Sequence, residues 1–264
     1  MSKKSFTDQM GRTIEIKNTP QKVISLVPSQ TEFLAWLGLE EEVVGITKFC
    51  THPEKWFRAK TRVGGTKTIH FDRVDALQAD LIIGNKEEND QTIIETLAEE
   101  YPVWMSDIKT LEDAYEMMMS LGKIFQKEEK VKKLVENIQT NFQQLQNFIS
   151  DKPTQKVAYL IWQKPLMVAA SDTFIHSMLE VIGFENAFQS QARYPQLSEE
   201  QFKKSKPDLI LLSSEPFPFK EKHIAYFQKL CPDATIKIVD GTYFSWYGNR
   251  LLEVTDYFQK LLFK

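Results

Sequence analysis

Between residues 110 and 150 the chain runs for about eleven helical turns with no proline and a single glycine, Gly122. Apolar residues recur there as Leu111, Ala114, Met117, Met118, Leu121, Ile124 and Phe125. They resume as Val131, Leu134, Val135, Ile138, Phe142, Leu145, Phe148 and Ile149. This is the i, i+3, i+4, i+7 spacing of an amphipathic helix. A continuous helix of about 35–40 residues is about 50–60 Å long at 1.5 Å per residue, enough to bridge two lobes. The charged run from Lys127 to Lys133 allows either a kink or an exposed face. The Met117-Met118-Met119 triplet is read as flexible core filling rather than a soft-metal site.

On both sides of this segment the pattern changes to short apolar runs alternating with helical stretches. Residues 5–18 read as an entrance hairpin around Met10-Gly11. Strands are expected at 23–27, 43–46, 81–83 and 103–105, and helices at 31–37, 71–78 and 90–100. Ser29 with Glu32 three residues later has the form of a capping box for the first helix, and Gly38 stops it. Residues 47–68, with Phe49, Cys50, His52, Pro53, Trp56 and Gly64-Gly65, read as irregular. After Lys152-Pro153 the alternation restarts, with strands at 157–162, 209–212 and 236–239. Helices are expected by the same logic at 172–182, 198–205, 223–230 and 250–263. Five-residue β-branched runs suit strands buried on both faces of a parallel sheet.

The two halves echo each other. Phe71 to Ile83 and Glu199 to Leu211 both read as an acid, a short helix, and then Asp-Leu-Ile-apolar. Asp72 precedes Asp80 by eight positions, and Glu200 precedes Asp208 by eight. The expected fold is therefore α/β: two Rossmann-like lobes with mostly parallel sheets, residues 1–109 and 151–264, joined by one long rigid helix over 110–150. Such an arrangement leaves a ligand cleft between lobes, lined by loops beyond the carboxyl ends of the strands. Those loops hold Phe49, Thr66 and Asn85-Lys86-Glu87 in the first lobe. In the second they hold Trp162, Tyr194, Ser213-Ser214-Glu215, and Tyr243, Phe244, Trp246 and Tyr247 between Gly241 and Gly248. Clustered loop aromatics suit a flat, partly apolar ligand, or else they seal the lobe.

Several function classes fall away. The 33 basic and 36 acidic residues give a net charge of −3, against the basic excess that nucleic-acid binding needs. Neither G-x-G-x-x-G, a P-loop, G-x-S-x-G nor H-E-x-x-H occurs. Two distant cysteines, Cys50 and Cys231, give neither a disulfide framework nor zinc spacing. No stretch reaches the roughly 18 apolar residues of a membrane helix. The first sixteen residues lack the apolar core of a signal peptide, which keeps a cytoplasmic location open. Cys50-Thr51-His52 then motivates an alternative, an intracellular metallochaperone or enzyme on the same fold.

The chain resembles the ABC-transporter substrate-binding proteins with a rigid helical backbone, the cobalamin, ferric-siderophore and haem group. The resemblance is carried by KVISLVPSQTE from Lys22 to Glu32, VGGT from Val63 to Thr66 and ADLIIG from Ala79 to Gly84. DTFIH from Asp172, FENAF from Phe184 and PDLI from Pro207 extend it over essentially the whole chain. It implies a monomeric, non-enzymatic, extracytoplasmic protein that needs no cofactor and delivers a metal chelate to a permease–ATPase complex. By position, Asp72 and Glu200 correspond to the acids that meet the permease. Phe49, Trp162 and Tyr194 fall on aromatic positions around a corrin, whereas Thr66 and Asn85 stand where that branch often has Trp. Iron in haem would be met by Tyr194, His52 or His70, and an anionic siderophore by Lys67, Lys86 and Arg193. Loop placement and resemblance together give the expected ligand set, Phe49, Thr66, Lys86, Trp162, Tyr194, Phe244, Trp246 and Tyr247.

Overall fold

The computed structural model describes residues 4–263. They pack as two compact units. The first comprises residues up to Ile108, then Glu112–Glu136 and Tyr247–Arg250. The second comprises Lys109–Leu111, Asn137–Trp246 and the chain from Leu251. Among the described residues no helix is long and apolar enough to cross a membrane.

The first unit opens with the antiparallel hairpin β1 (Lys4–Thr7) and β2 (Thr13–Ile16). Its buried Asp8 carboxylate accepts from the main-chain nitrogens of Met10, Arg12 and Met105 and from the Arg12 guanidinium, tying the hairpin to the sheet. Then come β3 (Val23–Ser25), α1 (Pro28–Leu37), β4 (Val43–Ile46), α2 (Glu54–Ala59), β5 (Thr61–Arg62) and α3 (Phe71–Leu77). β6 (Leu81–Asn85), α4 (Gln91–Glu100), β7 (Val103–Ser106) and α5 (Leu111–Ile124) complete the run. Strands β3 to β7 form one parallel sheet, ordered β5-β4-β3-β6-β7. Ile24, Leu26, Val63, Val74, Ile82, Ile94, Leu97 and Val103 pack together as its core.

Two local expectations change here. α1 begins with Pro28 at its first turn and Val27 as an uncapped N-cap, so Ser29 lies inside the helix and makes no capping box. Pro at that position already suits a helix start, because its missing N–H would have no partner. Glu32 instead pairs with Arg250 at 2.7 Å. The stretch read as irregular also contains a helix and a strand, α2 and β5.

The segment 110–150 is not one unbroken helix. α5 ends at Ile124, and α6 (Glu128–Ile149) begins four residues later. Gln126 takes a left-handed conformation, φ 56°. The Lys127 N–H donates to the Gly122 carbonyl at 2.7 Å, and the Gln126 N–H to that of Lys123. This is a Schellman ending. The close approach of α6 requires a glycine at position 122, since a Cβ there would sit 2.8 Å from Cγ2 of Val131. α6, at 22 residues, is the longest helix among the described residues, and the division between the two units falls within it.

The second unit contains β8 (Lys156–Trp162), β9 (Leu166–Val168), α7 (Phe174–Val181), β10 (Glu185–Asn186), β11 (Gln196–Leu197), α8 (Glu199–Ser205) and β12 (Leu209–Ser213). α9 (Ile224–Leu230), β13 (Thr235–Val239), α10 (Thr242–Ser245) and α11 (Leu251–Phe263) finish the chain. β10, β8, β12 and β13 pair in parallel, while β9 and β11 add an antiparallel edge. Ala158, Leu160, Val168, Phe188, Phe202, Ile210, Leu212 and Phe227 form its core.

The internal repeat has a mechanical basis. The Asp80 carboxylate accepts the main-chain N–H groups of Gln21 (2.8 Å) and Lys22 (3.0 Å), just before β3. Asp208 accepts that of Lys156 (2.8 Å), at the start of β8. Each aspartate thus fastens its own strand to the first strand of its unit's parallel core, in matching registers Val23–Leu81 and Val157–Leu209. Two residues earlier, Gln78 and Lys206 end α3 and α8 with φ of 49° and 45°. A left-handed conformation strains a residue with a Cβ by roughly 1–2 kcal/mol, against ~0.4–1 kcal/mol of unfolded-chain freedom that glycine adds. Gln78→Gly and Lys206→Gly are each expected to raise stability by about 0.5 kcal/mol, seen as a higher urea midpoint. Lower midpoints in both variants would contradict this account.

Candidate functional site

Parallel strands bring their loops to a common edge; Phe49, Thr66, Lys86 and Trp162 lie at the carboxyl ends of their strands, whereas Tyr194 precedes β11. In the first unit Phe49 lies beyond β4 and is 51% exposed, the most exposed large apolar side chain among the described residues. The Lys48 ammonium lies 5.1 Å from its ring centroid. Thr66, in the loop after β5, is half-buried and its carbonyl accepts from Asn89 Nδ2 at 3.2 Å. Lys86, after β6, is exposed but already paired with Asp107 at 2.6 Å. Lys67 Nζ donates to the Glu87 carbonyl.

Beneath this edge lies a buried polar network that carried no pattern in the sequence. Gln30 and Asn85 both donate to Ser106 Oγ, at 2.5 and 3.0 Å. Asn85 Oδ1 accepts from the main chain of Glu87 and Glu88, shaping the turn after β6. Thr31 Oγ1 donates to Ser25 Oγ at 2.7 Å and lies 3.1 Å from Cys50 Sγ. Cys50 is fully buried, and burial pushes its thiol pKa up. Burial disfavours the thiolate that a soft metal would need, and Cys50 Sγ lies instead within hydrogen-bonding distance of the Thr31 and Thr47 hydroxyls. Among the described residues no three His, Cys, Asp or Glu side chains converge to hold a metal ion.

In the second unit Trp162 ends β8 with 37% exposure. Its ring meets Phe217 edge-on at 5.4 Å, and its Nε1 donates to the Lys164 carbonyl at 3.0 Å. Phe217, absent from the sequence-derived set, is half-buried and touches Phe219 at 4.7 Å. The run Glu215-Pro216-Phe217-Pro218-Phe219 was the signal available for it. Tyr194 is half-buried with the Arg193 guanidinium 5.7 Å from its ring centroid.

The aromatic run 243–247 is not a loop of ligand-facing rings. Phe244 sits on α10 with 0% exposure, its ring 5.0 Å from Tyr159 and 4.9 Å from Phe258. It is a core residue of the second unit, and its place in the ligand set is corrected accordingly. Tyr243 stacks on Tyr257 at 4.3 Å. Trp246 and Tyr247 expose only 8% and 7%, so neither offers a ring face to solvent. Trp246 Nε1 donates to Glu215 Oε1 at 2.9 Å, beside Ser245 Oγ at 2.7 Å. Tyr247 belongs to the first unit, where its hydroxyl is bonded by Ser29 and Ser106 and burial raises its pKa far above the phenol range.

Asp72 and Glu200 are exposed on the first turns of α3 and α8. Their neighbours are engaged: Asp75 accepts from the Tyr101 hydroxyl and Glu199 from that of Tyr226, both at 2.8 Å. In each unit, therefore, one acid of the helix is held by a tyrosine and another stands at the surface.

Comparison with known proteins gives a consistent picture. The family model described as "Periplasmic binding protein" matches residues 23–229. An uncharacterized ABC transporter substrate-binding lipoprotein, YvrC of Bacillus subtilis, is 26% identical over 215 residues, covering 78% of this chain and 68% of YvrC. A vitamin B12-binding protein of Pectobacterium carotovorum is 26% identical over 237 residues, 88% of this chain and 85% of that protein. A periplasmic haem-binding protein of Pseudomonas aeruginosa has the same fold, with TM-score 0.79, 20% identity and 92% coverage of each chain.

Proposed function

Because the chain belongs to the periplasmic binding protein family, we propose that it is the solute-capturing component of an ABC importer whose cargo is a metal chelate, a cobalamin-like corrinoid or a ferric siderophore. The observation that carries this reading is an exposed aromatic ring at the carboxyl edge of each unit's sheet. Phe49 lies in the loop after β4, and Trp162 ends β8, each at the carboxyl edge of its own sheet. Exposed aromatic faces held by neighbours suit the flat apolar surface of a macrocycle. Thr66 lies in the loop after β5 and Tyr194 two residues before β11, and each supplies a hydrogen-bonding group. Lys86 and Lys67 are already engaged by Asp107 and the Glu87 carbonyl. That favours a ligand with a neutral amide periphery over a polyanionic siderophore, which wants unengaged cations.

The protein works outside the cytoplasm, as its lipoprotein and periplasmic relatives do, and acts as a binder rather than an enzyme. Asp72 and Glu200 dock it on the permease, one carboxylate per unit, where charge-assisted bonds to arginines set the register. The double variant Asp72→Lys/Glu200→Lys is expected to keep ligand affinity within about twofold while uptake is lost, since rim charges far from a ligand scarcely perturb it. A large loss of ligand affinity would contradict the docking assignment.

The test of the cargo is a tryptophan-fluorescence titration with cyanocobalamin, haemin and a ferric hydroxamate, corrected for ligand absorption. Saturable quenching by cyanocobalamin at micromolar concentration or below is expected. It should weaken in Trp162→Phe, which removes the reporter at β8. Absence of saturable quenching by all three chelates would overturn the reading.

A further inference from the structure

We infer that Asn89, through the glycine loop Gly64-Gly65, fixes the orientation of the Phe49 ring and is a positioning residue for ligand capture; the inference rests on Phe49 being a ligand contact. Asn89 is buried in the turn between β6 and α4. Its Oδ1 accepts from Asn85 N at 2.9 Å, and its Nδ2 donates to the carbonyls of Leu26 (3.4 Å) and Thr66 (3.2 Å). One amide therefore joins the end of β3, the end of β6 and the loop after β5. The space it occupies is kept by Gly84, where a Cβ would lie 2.8 Å from Asn89 Oδ1.

The loop that Asn89 holds is tight and is itself bonded to the Phe49 segment. The Gly65 N–H donates to the Thr68 carbonyl and the Lys48 N–H to that of Gly64, both at 2.7 Å. Gly64 has φ 133° and no room for a side chain, since a Cβ would fall 2.3 Å from the Thr68 oxygen. Gly65 lies against the ring: a Cβ there would be 3.2 Å from Phe49 Cε2 and 3.3 Å from the Lys48 side chain. The Phe49 N–H also donates to Thr47 Oγ1 at 3.3 Å. Phe49 is thus exposed on one side and backed on the other by a loop whose position is set by a buried amide. A ring held this way loses little freedom when a ligand stacks on it, which is how preorganisation raises affinity. Gly65 has no positive φ, so alanine is allowed by the backbone there and acts by pressing on Phe49, the Lys48 side chain and Thr68 Oγ1.

The experiment places para-fluorophenylalanine at position 49 and records the fluorine NMR spectrum of the ligand-free protein, alone and combined with Asn89→Asp or Gly65→Ala. Asn89→Asp keeps the acceptor for Asn85 but loses the donor to Thr66. Both variants are expected to shift or broaden the position-49 resonance. Cyanocobalamin affinity should fall about tenfold in each, with the melting temperature of Gly65→Ala unchanged. A resonance unmoved in both variants would overturn the inference. So would a moved resonance with unchanged affinity in a protein that binds cyanocobalamin. A moved resonance in a protein that binds none of the chelates would support the positioning and sink the cargo assignment instead.

Discussion

Replacing Phe244 by alanine is expected to lower stability by about 3–5 kcal/mol, the range for deleting a fully buried phenylalanine. The ring is 0% exposed and lies between Tyr159 on the central strand β8 and Phe258 on α11. Those neighbours are themselves fully buried, so the space cannot be refilled by a small shift. Tyr159 is further pinned by its hydroxyl bond to Ser213 Oγ at 3.1 Å. The measurement is urea unfolding followed by circular dichroism. A change below about 1 kcal/mol together with loss of chelate binding would return Phe244 to the ligand set.

The opposite profile is expected for Trp162→Ala. The side chain is 37% exposed and makes one edge contact with Phe217 and one hydrogen bond to a main-chain carbonyl. Its removal should cost about 1 kcal/mol of stability or less. Aromatic anchors of binding surfaces lose about 2–4 kcal/mol on truncation, so chelate affinity should fall by roughly 30- to 1,000-fold. Isothermal titration of wild type and variant with cyanocobalamin reads the difference. Equal affinities would remove Trp162 from the binding surface. Phe244 and Trp162 together separate aromatic residues that hold the unit together from those that face a ligand.

What could be read from the sequence was set by local rules. Strand and helix alternation follows from apolar periodicity, and the Asp80 and Asp208 repeat survives because each carboxylate does the same mechanical task in each unit. The break at Gln126 was less visible, because apolar spacing continues on both sides of it. Only Gly122 and the charged run marked it, and the reason for Gly122 is a tertiary approach by Val131. Burial of Phe244 was invisible for a similar reason: Gly241 and Gly248 flank the run as they would flank a loop, but residues 242–245 close into a helical turn over the core. The network of Gln30, Asn85, Asn89 and Ser106 joins residues up to 76 positions apart, and no short window of sequence contains it.

The central claim is that this chain captures a metal chelate and releases it unchanged. Equilibrium dialysis of the purified protein against cyanocobalamin, with chromatography of the bound fraction, tests it most directly. The account predicts saturable retention of one corrinoid per chain, recovered chemically intact. No retention of cyanocobalamin, haemin or a ferric hydroxamate, or recovery of an altered chelate, would contradict it.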